Sequence, residues 1–408
     1  MTEFKLNFNN NIAAEKSQPS NSTKTLEKGT SSYTLGNESN FTTRLRDFAS
    51  KGDLTIPELL VFASEEDCSD LYIVADERPF LSKFGMVYQV YCDPIDDTKI
   101  SDLFKPQFIK NELKSIYTTD WLLDTSIELE IPHDSKWYSK MDNAYNMFRY
   151  RASFGRSRGR KTGTFRMIKA KKPTFNTINY NPKCVEALQK AYSKSSGICY
   201  ESGPTGSGKS TTMAACINSF TQPGGVLDNK VIITLEDPIE NIFDNTPTVK
   251  IMQKELGQDF KTFPLGIKAA LREHPNIIIV GECRDKPVIC AAIEASRTGH
   301  VTTTTFHAPD VPGTLNRLLY HLDNDLNLCM DLITQMNIIL SQKMLKSNDR
   351  YIVDTQFLLF DEDYVIRPIL RALDNSETNL TNLIRGMITD PNLQELGISK
   401  DWDYPELH

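Results

Sequence analysis

The sequence predicts an α/β fold in which a P-loop domain follows a smaller α+β domain, and three observations carry that prediction. First, Gly203-Pro204-Thr205-Gly206-Ser207-Gly208-Lys209-Ser210 fits the pattern G-x-x-x-x-G-K-[ST], which is a phosphate-binding loop. Second, β-branched runs at 231–235, 277–280 and 301–306, after a strand at 198–201 that precedes the loop, are separated by helical segments, as in parallel strands buried on both faces. Third, residues 52–172 hold shorter alternating runs of their own, which suit a separate sheet.

The physics of the loop is local. Its glycines let the backbone take conformations closed to other residues, so that successive N–H groups converge on an anion. The helix opening at Ser210 and Thr211 adds its positive end. Lys209 is placed to reach the β- and γ-phosphates and the Ser210 hydroxyl to bind Mg²⁺. ATP and Mg²⁺ are therefore the expected ligands, with residues 203–211 binding the nucleotide. A chance Gly/Ser loop rarely matches so long a pattern.

Composition bounds the rest. The chain has 408 residues, a hydrophobic fraction of 39%, a charged fraction of 24% and a formal net charge of −7. No global basic field draws it to nucleic acid, and no stable nucleic-acid partner is expected. Its eight cysteines form no C-x-x-C pair, so buried thiols in a reducing cytosol are expected rather than zinc or redox chemistry. No apolar run approaches the ~20 residues of a membrane span, and the first residues do not resemble a signal peptide. A soluble cytoplasmic protein is the expectation.

In chain order, residues 1–41 read as a disordered polar tail, since 18 of the first 40 are Asn, Ser or Thr. Residues 56–63 read as a short helix, 69–74 as a strand, 79–88 as two strands hinged at Gly85, 105–117 as a helix, and 145–152 and 164–168 as strands. Between Arg149 and Lys172 stand ten Lys or Arg and no Asp or Glu. That charge suits a solvated basic loop at 155–163, a nucleic-acid surface interleaved with aromatics, or arginines that reach a phosphate held by a neighbouring subunit. Alternation favours the last, because Arg149 and Arg151 share one strand face. Beyond a linker at 171–173 comes a helix at 182–191, then the P-loop domain over 180–408. Residues 312–346 and 376–396 read as mostly helical, and 351–360 with 364–369 as a late hairpin.

Each buried strand ends in polar residues, which places them at the carboxyl edge where ligands of open α/β sheets bind. Glu236-Asp237-Pro238-Ile239-Glu240 follows one strand and Gly281-Glu282-Cys283-Arg284-Asp285 another. A P-loop NTPase needs a carboxylate near Mg²⁺ and a group that orients water. Glu282 suits the first role, through the ion's water shell, and the 236–240 cluster the second. Helix N-capping is the competing role, best suited to Asp237 and Asp285. His300 and His307 flank one strand, and phosphate sensing or a link to a subunit interface is preferred for them over metal ligation or a core hydrogen bond.

Four motifs now stand in order: 203–210, Glu236 to Glu240, Gly281-Glu282 with Arg284-Asp285, and Thr298-Gly299-His300 through His307. Together they resemble the secretion ATPases of the PilT type, including type IV pilus retraction motors and the DotB- and TraJ-like motors of type IVB secretion and conjugation. Glu58-Leu59-Leu60, Ser69-Asp70-Leu71 and Asn382-Leu383-Ile384-Arg385 extend the resemblance over about 52–390. It implies a PAS-like domain at 52–172 joined to a RecA-like domain with a C-terminal helical region, assembled as a homohexamer. Such motors act on inner-membrane platform proteins of a secretion, conjugation or pilus machine, so the chain would lie at the cytoplasmic face. Glu240 matches the glutamate that activates water, Glu282 the one near Mg²⁺, and Arg149 and Arg151 the arginines contacting nucleotide across a subunit interface. The chain departs from the family at Pro275-Asn276, where Pro-Asp is common, and in the polar run Thr302 to Thr305. The readings of another class are a RecA-like motor that translocates nucleic acid and a nucleotide-binding scaffold without turnover.

Overall fold

A computed structural model describes residues 32–83, 86–105, 109, 117–131, 135, 147–168, 172–178, 180–347, 350–374 and 379–403. The chain forms two compact units, 1–48 and 49–408. In the first, helix α1 spans Ser32–Ala49, so helical structure starts inside the tail expected to lack it. Gly85, Tyr145, Asn146 and most of the helix expected at 105–117 lie outside the described residues.

The second unit begins with α2, Ile56–Glu65. Thr55 and Glu58 form a reciprocal capping box, and Pro57 fills the first turn. Then come β1 (Asp70–Val74), β2 (Phe80–Lys83), β3 (Met86–Gln89), α3 (Asp97–Asp102), β4 (Leu123–Glu130), β5 (Met147–Ser157) and β6 (Arg160–Ile168). The strands form an antiparallel sheet in the order β3-β2-β1-β6-β5-β4. Leu123, Thr125, Ile127 and Leu129 of β4 are buried and alternate with exposed or half-buried residues, a period of two that the sequence reading passed over. The stretch 155–163, for which a solvated basic loop was one of three readings, is paired strand on both sides of a turn at Arg158 and Gly159, whose φ angles are 51° and 80°. Those left-handed residues make the turn type that matches strand twist, and the turn fixes Arg151 opposite Arg166.

The P-loop domain starts with α4 (Phe175–Ile178), α5 (Pro182–Tyr192), β7 (Gly197–Ser202) and α6 (Lys209–Phe220). It continues through β8 (Val231–Glu236), β9 (Lys250–Glu255), α7 (Phe263–Ala270), β10 (Ile277–Val280), α8 (Lys286–Arg297) and β11 (Val301–Phe306). Last come α9 (Val311–His321), α10 (Leu326–Gln335), β12 (Met336–Ser347), β13 (Arg350–Leu359), α11 (Arg367–Asp374), α12 (Leu380–Thr389), α13 (Pro391–Glu395) and β14 (Ser399–Lys400). The sheet order is β14-β13-β12-β7-β11-β10-β8-β9. The six strands from β12 to β9 are parallel, and β13 and β14 run antiparallel at one flank. Ile277 and Ile279 join a core with α5 and α6, whereas Ile278 and Val280 join one with α8, α9 and α10. The domain is thus a three-layer α/β/α sandwich.

Two expectations fail here. The stretch 312–346 is helical only to Gln335, then becomes β12, whose apolar run Ile338-Ile339-Leu340 fits a buried strand as well as a helix. The late hairpin is also misplaced: β13 pairs with β12, and Tyr364 lies in a π-turn leading into α11. The β9 edge is blunted by side chains, and β14 covers only Phe357 and Leu358 at the other edge. On β9 the backbone N–H of Ile251 donates to Asn245 Oδ1 (2.7 Å) and that of Glu255 to Asp259 Oδ2 (2.8 Å). At the other edge β14 has only two residues.

Candidate active site

The P-loop joins β7 to α6 at the carboxyl edge of the sheet. A Cβ at Gly203, whose φ is +152°, would stand 2.3 Å from the Gln342 carbonyl oxygen, so only glycine fits there. Gly208 (φ +88°) is the N-cap of α6 and gives no side-chain cap. The first N–H groups of α6 are therefore left for an external acceptor. Gln342 braces the loop: its Nε2 donates to Ser207 O (2.6 Å), and its Oε1 accepts from Tyr180 OH (3.1 Å). Reading 312–346 as helix hid this residue. Lys209 Nζ donates to Gly203 O (2.9 Å) and Pro204 O (3.0 Å). Burial lowers its pKa, while the Glu282 and Glu201 charges oppose that shift.

A cavity of about 510 Å³ opens in front of the loop. Thr205, Gly206, Gly208, Lys209, Ser210 and Thr211 line one side, and Glu236, Asp237, Glu240, Glu282, Arg284 and His307 the other. Gly203, Pro204 and Ser207 shape the loop from behind. The two glutamates after β8 differ in kind. Glu236 Oε1 accepts from Thr234 Oγ1 (2.6 Å) and Gln253 Nε2 (3.1 Å), and burial pushes its pKa up to about 7. Glu240 is half-buried, with no such ties. Asp237, expected as an N-cap, faces the cavity instead. Burial raises its pKa, and Arg151 and Arg284 partly offset the rise. Asp285 does cap α8, accepting from Val288 N at 3.1 Å.

Glu282 is held on both oxygens, by the Arg284 guanidinium and by His307 Nε2 at 3.4 Å. Its backbone is set by Thr305, whose hydroxyl donates to Gly281 O at 2.6 Å. Burial, with Lys209 nearby, lowers the His307 pKa, so the imidazole is neutral at neutral pH. In the polar run of β11, Thr303 Oγ1 lies 3.0 Å from Tyr192 OH, whereas the buried Thr302 hydroxyl has no hydrogen-bond partner. Asn276 replaces the common Asp and ties the sheet, since its Oδ1 accepts from Val231 N and its own N–H donates to Val231 O, both at 2.8 Å.

The expected placement of His300 at the ligand edge is corrected. His300 precedes β11 and His307 follows it, so six strand residues set them roughly 20 Å apart. His300 therefore lies at the amino edge, with Nδ1 3.2 Å from both Ala295 O and Thr298 Oγ1, and is absent from the cavity. Arg149 does share a strand face with Arg151 but does not line the cavity; its Nε bonds Glu128 Oε1 (2.6 Å) and its Nη1 donates to Ile239 O (2.9 Å). Arg151 lines the cavity of its own chain, and so does Arg166, which the sequence reading did not single out. The hairpin turn carried that signal, because it sets Arg166 opposite Arg151. Arg151 and Arg166 thus bring guanidinium groups to the cavity of their own chain.

Glu201, the residue before the last in β7, is fully buried with Oε2 unpartnered. Burial pushes its pKa up to about 8, against weaker opposing hydrogen bonds from Tyr192 and Cys216. The folded chain therefore keeps this proton up to about pH 8, whereas the unfolded chain releases it near its ordinary value of 4.5. Stability falls as pH rises across that window, and Glu236 acts in the same direction. Glu201→Gln is expected to flatten the decline in urea midpoint between about pH 5 and about pH 8; an unchanged slope would count against the buried acid.

The parallel sheet, the glycine-shaped loop at its carboxyl edge and the cavity that joins Lys209 to arginines and carboxylates define a P-loop NTPase. The chain belongs to the family of Type II/IV secretion system proteins, whose model matches residues 109–366. It is similar to the type IV pilus retractation ATPase PilT of Pseudomonas aeruginosa, with 29% identity over 266 residues, 65% of this chain and 70% of that one. It also resembles a twitching motility protein of Neisseria gonorrhoeae, 32% identical over 226 residues, 52% of this chain and 58% of that one. Among solved structures, the DotB ATPase of Legionella pneumophila superposes with a TM-score of 0.68 at 26% identity, covering 82% of this chain and 89% of that one. The pilus retraction motor PilT with bound ADP shares the fold, with a TM-score of 0.67 at 24% identity over 82% and 90% of the two chains. The chain is an ATP-hydrolysing enzyme of RecA-like fold with a mixed N-terminal domain, of the class that powers membrane secretion and pilus machines. Members of the family use ATP with Mg²⁺ and work as oligomers with membrane-platform partners. Among the described residues no helix is long and apolar enough to cross a membrane.

Proposed function

We propose that this cavity binds ATP and Mg²⁺ and hydrolyses the nucleotide, and that the chain works as a homohexamer on the cytoplasmic face of an inner-membrane secretion, conjugation or pilus platform. Residues 52–172 are read as the PAS-like module of that motor, 1–41 as its tail and 180–408 as its RecA-like domain. One observation carries the reading: Lys209, Arg151 and Glu240 come from three separate elements and meet on one cavity.

The donor set fits a nucleoside triphosphate. The uncapped start of α6 and Lys209 hold the phosphates, and Arg151 and Arg166 bring positive charge to the opposite wall. The Ser210 hydroxyl and the Glu282 carboxylate are hard oxygen donors, as Mg²⁺ requires. When bound there, the ion would supply positive charge that offsets the charge developing on the phosphates. Glu240 accepts a hydrogen bond from the attacking water and takes its proton. Glu236 is the weaker candidate for that step, because it is buried, doubly hydrogen-bonded and carries a proton to about pH 7. Glu282, oriented by Arg284 and His307, holds the ion's water shell.

Lys209→Ala and Glu282→Gln are each expected to lower phosphate release from ATP by at least about 10²-fold, the usual loss when one charge-stabilising group is removed. Release that survives both substitutions would refute this placement of the chemistry.

A further inference from the structure

We propose that Ser126, Glu128 and Arg149 of the N-terminal sheet are positioning residues that clamp the loop carrying Glu240, so that the seating of this sheet determines whether the water-activating carboxylate is in place. The inference rests on the reading of Glu240 above.

The clamp grips both ends of one residue. The Ile239 carbonyl accepts from Arg149 Nη1 at 2.9 Å, and the Ile239 N–H donates to Glu255 Oε2 at 3.2 Å. Neither gripping group stands alone. Arg149 is aligned by Glu128, directly opposite it on β4. Glu255 is aligned by the Ser126 hydroxyl, 3.1 and 2.9 Å from its two carboxylate oxygens, also from β4. Ile239 immediately precedes Glu240. The far side of the loop is tied differently: Gln253 of β9 donates to Asn241 O (2.7 Å) and accepts from Phe243 N (2.8 Å). The half bearing Glu240 is therefore shared between the two sheets, with Arg149 on the Ile239 carbonyl and Ser126 acting through Glu255 of β9, whereas the other half is tied to β9.

Both gripping groups are buried: Arg149 is 8% exposed and Glu255 4%. Pulling β4 and β5 away would carry Arg149, with Glu128, off the Ile239 carbonyl and take the Ser126 hydroxyl off Glu255, which keeps Gln258 Nε2 and the Ile239 N–H. The buried Ile239 carbonyl, next to Glu240 in the chain, would then lose its partner, and a buried acceptor left unpaired is costly. A small rotation of the N-terminal sheet thus keeps or frees that carbonyl. Because Arg149 does not line the cavity, its effect on chemistry passes through Glu240 and not through the phosphates. Domain movement and hydrolysis become linked by a peptide group.

The test uses the full chain, with affinity for a fluorescent ATP analogue and steady-state kcat measured on each variant. Arg149→Met is expected to lower kcat on the order of 10²-fold, the scale of a misplaced catalytic group, while the dissociation constant stays within about twofold. Ser126→Ala and Glu128→Gln keep the charge of Arg149 and are expected to lower kcat less, again without loss of affinity. The Ser126→Ala and Arg149→Met losses are expected to be less than multiplicative in the double variant, as for members of one network. In a Glu240→Gln background neither is expected to lower kcat further. Weakened nucleotide affinity with unchanged kcat in Arg149→Met would make it a phosphate contact and overturn the clamp. Wild-type kcat in both Ser126→Ala and Glu128→Gln, or losses that persist undiminished in the Glu240→Gln background, would also overturn it. Full turnover by Glu240→Gln alone would instead refute the reading on which it rests.

Discussion

Glu240→Gln is expected to lower kcat for ATP hydrolysis by about 10²–10⁴-fold, the range of general-base contributions, with little change in nucleotide affinity. The amide keeps the size of the side chain but cannot take a proton from water. Glu236→Gln supplies the contrast. Glu236 is buried, hydrogen-bonded by Thr234 and Gln253, and protonated below about pH 7. An amide there resembles the form already present, so hydrolysis below that pH is expected to persist at close to the wild-type rate. Steady-state phosphate release from the two variants separates the roles. Equal losses in both would assign the proton transfer to the pair and not to Glu240.

Arg151→Ala is expected to cost roughly 10³–10⁵ in rate, the scale of an arginine that stabilises transferring phosphoryl charge. Its origin is testable by mixing. Arg151 lines the same chain's cavity as Lys209. In mixed oligomers of Arg151→Ala and Lys209→Ala chains, every cavity then lacks one of the two groups, and no activity is recovered. If the arginine crossed a subunit boundary, an Arg151→Ala chain would be completed by a Lys209→Ala neighbour. Phosphate release rising above that of either variant alone would therefore overturn the single-chain site.

The sequence made the parallel strands legible because their burial leaves a simple trace. Ile277-Ile278-Ile279-Val280 has nothing polar to place in solvent, and its alternate residues enter opposite cores. The P-loop was legible because glycines are demanded by geometry, at Gly203 above all. Strand β12 was not, because three apolar residues at 338–340 suit helix and strand equally; pairing with β13 and β7 decided between them. The histidines show a different limit. Their spacing was visible, but seven residues bring two side chains together on a helix and separate them along a strand. Arg149 shows a third: alternation gave its face correctly, while its partners Glu128 and Ile239 are set by β4 and by a loop 90 residues away. Long-range pairing of that kind leaves no local period in the chain.

The β9 edge of the large sheet also bears on how copies of the chain meet. An exposed strand edge invites another backbone to add to it. Here Asn245 and Asp259 occupy donors of β9 that a foreign strand would need. A second copy that meets this edge therefore does so through side chains rather than by extending the sheet. Contacts of that sort can loosen and reform while every strand keeps its partners.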